Sequence, residues 1–200
     1  GIEFGGACAA ALEQEAREIL AICRQYGVPL LINDDVMLAK KIGADGVHVG
    51  QDDMSAAKAR ELLGEDAIIG VTARTVEQAV AAQEAGADYL GSGAVFGTST
   101  KKDAKPMDPA YFQQICESVS IPVVAIGGVT LDNIRELEGR KMSGFAIVSG
   151  IFAAEDIETR TRDLWKAAQE LCLPGQVSRL KMEILRRHPV VQCITNIVTV

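Results

Sequence analysis

Two acidic clusters each follow an apolar run. Asn33-Asp34-Asp35 comes directly after Leu30-Leu31-Ile32, and Gly50-Gln51-Asp52-Asp53 comes after Gly46-Val47-His48-Val49. Carboxylates supply hard oxygen donors, and Mg2+ takes one or two of these together with substrate phosphate and water. An Asp after a strand is also a favoured helix N-cap, so either cluster alone has an ordinary structural use. Thr72 follows the run ending at Val71 and is placed to reach a ligand, whereas Thr75 and Gln78 have the spacing of a capping box. The segment from Gly91 to Asp103 carries Thr98, Ser99 and Thr100, then Lys101 and Lys102. Hydroxyls and exposed backbone N–H groups bind phosphate oxygens, and Lys adds a point charge. Gly127-Gly128, predicted to open a helix, and Ser149-Gly150 let the backbone approach an anion closely. No His, Cys or Ser stands where a nucleophile with a partner base is needed.

These residues need a scaffold that brings them together. Helical periodicity over Ala10–Tyr26, Val36–Ile42, Ser55–Leu63, Val76–Ala85, Pro109–Ser118, Leu131–Gly139 and Glu158–Cys172 alternates with short β-branched runs. Those runs predict six strands: Leu30–Ile32, Gly46–Val49, Ala67–Val71, Tyr89–Gly91, Pro122–Ile126 and Phe145–Val148. Ile2-Glu3-Phe4 is a candidate seventh. Gly-Ala-Asp at 43–45 recurs at 86–88 and reads as a helix-to-strand turn. The strands alternate little in polarity, as strands buried on both faces do. Such a chain builds a parallel α/β sheet, either doubly wound or closed as a barrel. In a barrel the site lies at the carboxyl ends of the strands, and there both acidic clusters meet at one rim. That convergence, with Asn33 beside one pair, favours a metal. The Gly91–Asp103 segment is long for a compact unit, as functional loops are.

The 200 residues are 48% hydrophobic and 24% charged, which excludes disorder and coiled coil. No apolar run suits a membrane span, and the first residues lack a signal-peptide pattern, so a cytoplasmic protein is expected. A net charge of −7 gives no electrostatic footprint for nucleic acid. The five cysteines are scattered and no CxxC pair exists, which predicts reduced buried thiols rather than a disulfide or zinc site. From Leu173 onward four basic residues face one acid, Pro174-Gly175 reads as a linker, Val177–Arg187 as a helix and Val190-Val191 as a strand start. The expected organisation is residues 1–172 as one unit and 173–200 as a linker with the start of a second α/β domain.

The motifs Leu30–Asp35, Gly43–Asp53, Thr98–Asp103 and Ile126–Val129, in this order and spacing, resemble the thiamine phosphate synthase family. The likeness runs from about Glu15 to Cys172. It implies a (β/α)8 TIM barrel and a transferase that joins 4-amino-5-hydroxymethyl-2-methylpyrimidine diphosphate to hydroxyethylthiazole phosphate, releasing pyrophosphate. It also implies Mg2+ held by Asp34 and Asp53, with Asn33 on the pyrimidine. Thr72 would bind substrate where the family usually has Ser. Thr98, Ser99 and Thr100 would bind the thiazole. Lys101 would contact the diphosphate, and Gly127 with the backbone of Ile147 and Val148 the thiazole phosphate. The implied catalytic set is Asp34, Asp53 and Lys101, the partners are small molecules, and a homo-oligomer stays open.

One departure stands beside this likeness. The family's second strand carries Gln-x-Arg-x-Lys, and the aligned stretch here, Gly1-Ile2-Glu3-Phe4-Gly5, does not. The expectation is an incomplete barrel lacking its first strand and helix. Two alternatives remain: a related thiazole tautomerase-like phosphate-binding barrel, and an inactive ligand-binding fragment. Asn33-Asp34 and Thr100-Lys101-Lys102 favour the synthase. The tail from about Leu180, with Pro189–Asn196, resembles the start of hydroxyethylthiazole kinase, implying a fusion of two consecutive activities.

Overall fold

The structure, a computed structural model, describes residues 6–97, 106–172 and 198–199, with side chains for 9–97 and 106–172. Ile2-Glu3-Phe4, the loop 98–105 and the tail segments 174–175, 177–187 and 190–191 lie outside these residues.

Helix and strand alternate as the periodicity predicts. Helix α1 (Gly6–Gln25) leads to β1 (Leu30–Asn33), α2 (Val36–Ile42) to β2 (Gly46–Val49), and α3 (Ala56–Leu63) to β3 (Ile68–Thr72). Helix α4 (Val76–Glu84) leads to β4 (Tyr89–Gly93) and α5 (Pro109–Ser118) to β5 (Val123–Ile126). Strand β6 (Gly144–Ala146) is followed by α6 (Ser149–Phe152) and α7 (Ile157–Leu171). A short strand β7 (Val198–Thr199) pairs in parallel with β1.

Every pairing is parallel, and the sheet order is β6-β5-β4-β3-β2-β1-β7. From β1 to β6 each strand lies beside its predecessor, with no switch point. This is the winding of a barrel rather than of a doubly wound sheet. Among the described residues the barrel is incomplete, with β6 and β7 as terminal strands.

The pleat sends alternate residues to opposite faces. On the outer face Leu30, Ile32, Val47, Ile69, Leu90 and Val123 join the helices in one apolar cluster. On the inner face a separate cluster holds Leu31, Ile68, Tyr89 and Val124, with Ala146 packed against it. Small residues make the inner layer possible. Gly70 lies in register between His48 and Tyr89, and a Cβ on it would fall on the Tyr89 ring.

Among the described residues five helices carry side-chain caps: Asp35, Ser55, Thr75, Asp108 and Asp156 each accept from a backbone N–H in the first turn. Gln78 completes a variant of the predicted capping box, because its side chain accepts from Arg74 N rather than from Thr75. The Gly-Ala-Asp repeat is the structural turn it was expected to be. Gly43 takes the left-handed C-cap conformation of α2 at φ 70°. Asp45 Oδ2 accepts from Leu30 N at 2.8 Å, and Asp88 Oδ2 accepts from Ile69 N at 2.7 Å while pairing with Arg60 at 2.6 Å. Both aspartates thereby lock the rim at which the strands begin.

Two expected elements differ. Leu131–Gly139 is not an α-helix: a single 3-10 turn spans Ile134–Leu137. Asn133 bonds Thr130 N and Gly128 O through its side chain, and this competes with regular helix at the segment's start. The sixth strand is Gly144–Ala146 rather than Phe145–Val148, because Val148 already precedes the short helix α6. Cys23, Cys116 and Cys172 are free and buried, as expected for reduced thiols. Burial pushes the Cys116 thiol up to about 12 and that of Cys172 to about 11. No described helix is long and apolar enough to cross a membrane.

Gly70→Ala should lower the unfolding free energy by about 1–3 kcal/mol, the usual cost of overpacking a close-packed interior. Urea denaturation of the two proteins measures this, and an unchanged midpoint would contradict the interior packing described.

Candidate functional site

Parallel strands end at one rim, and the rim residues can be followed strand by strand. Asn33 ends β1, where it pairs in register with His48, and Asp34 N donates to His48 O at 2.8 Å. Asp35 N donates to Asn33 O at 2.7 Å, and the Asp35 carboxylate caps α2 through Leu38 N. The tight turn holds Asp34 at φ 63°, a left-handed conformation that Asp tolerates better than most residues. Asn33 and Asp34 are both exposed. Within this cluster Asp35 is the residue that caps α2.

The β2–α3 loop repeats this division. Asp53 Oδ2 accepts from Gly50 N at 2.8 Å, while Ser55 caps α3. A Cβ on Gly50 would sit 2.8 Å from Asp53 Oδ2, so a larger residue there would shift this carboxylate. Gln51 bonds Thr72 O through its side-chain amide and ties this loop to the end of β3. Asp53 stays exposed, and its Oδ1 has no hydrogen-bond partner among the described residues.

At the end of β3, Thr72 meets a group that sequence reasoning missed. His48 Nε2 lies 2.9 Å from Thr72 Oγ1, and His48 Nδ1 lies 2.9 Å from the Tyr89 hydroxyl. His48 is 8% exposed. Burial pulls its pKa down to about 4, and the nearby Asp53 carboxylate opposes this only in part. The available signal was a histidine inside the apolar run Val47-His48-Val49.

The segment after β4 is anchored at both ends. Val95 N donates to Ile126 O and Phe96 N to Gly127 O, each at 3.0 Å, and Met107 N returns to Ala94 O at 2.7 Å. The loop carrying Thr98, Ser99, Thr100 and Lys101 therefore leaves from beside Gly127, although those four residues lie outside the described ones. Gly127 and Gly128 have φ 96° and 69°. A Cβ on Gly127 would strike Ala94, and one on Gly128 would strike Gly97 O. The expectation that this pair opens a helix is corrected: here the glycines let the loop stem pack against β5. Ile147 and exposed Val148 follow β6, and Gly150 packs against Val129 O, which joins the last two rim segments.

The described candidates thus occupy the ends of β1, β2, β3, β5 and β6 on one rim. Among the described residues no three His, Cys, Asp or Glu side chains converge as a metal site. Two carboxylates at adjacent strand ends still suit Mg2+, whose remaining ligands come from phosphate and water. Carboxylate oxygens are hard donors of the kind that Mg2+, Mn2+ and Ca2+ take.

Comparison with known proteins bears on the family and the fold. A family model described as thiamine monophosphate synthase matches residues 6–151. A thiamine-phosphate synthase of Ruminiclostridium cellulolyticum is 46% identical over 151 residues, covering 76% of this chain and 72% of that protein. One of Clostridioides difficile is 47% identical over 144 residues, covering 72% of this chain and 69% of that protein. The solved thiamine phosphate pyrophosphorylase from Pyrococcus furiosus superposes with a TM-score of 0.74 at 36% identity, covering 81% of this chain and 78% of that one.

A buried neutral His48 makes stability depend on pH in one direction. Its folded pKa of about 4 lies below the ordinary 6.5, so between these values the unfolded chain binds a proton the folded chain does not. Stability is lost as pH falls through this window, by about 3 kcal/mol at most. From pH 7.5 to 4.5 the unaltered protein should lose about 2 kcal/mol more than His48→Gln in urea denaturation. Equal losses would show that His48 is not held neutral.

Proposed function

The chain belongs to the thiamine monophosphate synthase family, and from this we propose that it joins 4-amino-5-hydroxymethyl-2-methylpyrimidine diphosphate to hydroxyethylthiazole phosphate, forming thiamine phosphate and pyrophosphate. The observation that carries this reading is the division of labour at the first two strand ends. Asp35 and Ser55 are the caps of α2 and α3, and the Asp34 and Asp53 carboxylates stand exposed at the same rim, one at each of two adjacent strand ends.

In this reading Asp34 and Asp53 hold Mg2+ on the diphosphate, and Asn33 binds the pyrimidine. The ion supplies neutralisation of the negative charge that gathers on the departing diphosphate. Lys101 contributes a second positive charge there, and Thr72 a hydroxyl. The pyrimidine methylene carbon loses its bond to the diphosphate oxygen and gains one to the thiazole ring nitrogen. No protein nucleophile takes part, which accords with the lack of a nucleophile–base pair in the sequence. Thr98, Ser99 and Thr100 hold the thiazole, while Gly127 and the backbone at Ile147 and Val148 take its phosphate. Catalysis then consists of positioning two substrates and stabilising a leaving anion. The bonds of Val95 and Phe96 to Ile126 and Gly127 support this reading, because the chain enters the segment that carries these hydroxyls from beside Gly127. Residues 173–200 are read as a linker and the beginning of a hydroxyethylthiazole kinase-like unit, on the strength of their sequence alone.

Turnover is followed by pyrophosphate release and thiamine phosphate formation. Asp34→Asn and Asp53→Asn keep side-chain size and the left-handed turn while removing one charge each. Each should lower Mg2+-dependent turnover about 100-fold or more. Undiminished turnover in both would remove the metal assignment. Binding of the thiazole phosphate, with none of the pyrimidine diphosphate in the presence of Mg2+, would favour the tautomerase-like alternative.

A further inference from the structure

Three polar side chains from consecutive strands form a line through the barrel interior. His48 lies on β2, Thr72 on β3 and Tyr89 on β4. Tyr89 is 2% exposed, and Thr72 is half-buried at the open end of its strand. The Tyr89 hydroxyl and Thr72 Oγ1 occupy the two ring nitrogens of His48, each at 2.9 Å. Glycines vacate the space. Gly70 lies in register between His48 and Tyr89, and a Cβ on Gly91 would approach His48 Cε1 to 3.0 Å. The imidazole therefore has a made-to-measure slot, with the two rings 5.5 Å apart.

A neutral imidazole has one N–H and one lone pair, so the line has a direction. The Tyr89 hydroxyl has a single partner among the described residues, His48 Nδ1. Were Nδ1 protonated, the phenol hydrogen would be buried with no acceptor, the costly arrangement for a buried polar group. The phenol must donate to Nδ1, which places the ring proton on Nε2. Nε2–H then donates to Thr72 Oγ1. The hydrogen of Thr72 is left over, on a hydroxyl that stands at the rim.

We propose that His48 and Tyr89 are positioning residues that make Thr72 a dedicated hydrogen-bond donor to a diphosphate oxygen of the pyrimidine substrate. This rests on the reading of the rim as the site of that substrate. A hydroxyl free to rotate presents hydrogen or lone pair equally. One whose oxygen already accepts from Nε2–H turns its hydrogen outward, and an acceptor-rich anion is the group it recognises.

Long-range 1H–15N spectra of the full chain labelled with 15N-histidine decide the direction, with His48→Gln separating His48 from His188. The expected result is the Nε2–H tautomer at pH 7 and its loss of preference in Tyr89→Phe, which keeps the ring over Gly70. An Nδ1–H or averaged ring in the unaltered protein would overturn the relay. Calorimetry with the pyrimidine diphosphate and Mg2+ tests the consequence. Tyr89→Phe and Thr72→Val should each weaken binding roughly three- to tenfold, and the double variant should bind no more weakly than Thr72→Val. Multiplying effects in the double variant would show that Tyr89 does not act through Thr72. Failure of the unaltered chain to bind would overturn the reading of the rim and the donor assignment with it, whereas a wrong tautomer with binding intact overturns the relay alone.

Discussion

A strand buried on both faces must send every backbone N–H and C=O sideways to a neighbour, because neither face offers water. When all neighbours run in the same direction, each connection has to return outside the sheet, and all strand ends share one rim. The arrangement of this chain follows from that pairing. Because β1 to β6 pair in chain order, Asn33, Asp53, Thr72, Gly127 and Val148 arrive at the same rim from separate segments. The opposite rim is given to stability: Asp45 and Asp88 bind the backbone of preceding strands, and Arg60 closes one of these contacts. Chemistry and anchoring are thus separated by the direction of the strands.

The interior makes a second separation, between filling and orienting. Leu31, Ile68 and Val124 fill it with apolar volume, but Tyr89 and His48 bring polar atoms where water does not follow. Such atoms are tolerated only when each has a partner. Here the partners come from one another and from Thr72, so the buried polar group points at the rim instead of at the core. The glycines at 70 and 91 stabilise nothing by themselves; they remove the side chains that would block this line.

Much of this architecture was legible from residue order. Alternating periodicity located six strands to within a residue or two, and the acidic clusters lay where strand ends should be. Less legible was which aspartate does what. Asp34 and Asp35 are adjacent and chemically identical, and both suit a helix N-cap. Backbone geometry separates them: one accepts from Leu38 N, and the other is turned into the left-handed region. The glycine pair at 127–128 misled in the same way. It suggested a helix start, yet the neighbouring Asn133 bonds back to Gly128 and the glycines pack under the stem from Ala94 to Gly97.

Local pattern by itself determined the α/β class, the parallel sheet, the Thr75 cap and the candidate ligands, because each depends on residues a few positions apart. Whether the sheet wound as a barrel or reversed at a switch point was left to tertiary structure, as was the meeting of His48 with Thr72 and Tyr89, 24 and 41 residues away. The reason is that register and pleat belong to pairs of segments. A histidine inside an apolar strand says only that a polar atom will be buried. Which neighbours can reach it is decided when adjacent strands align and a glycine between them leaves the space open.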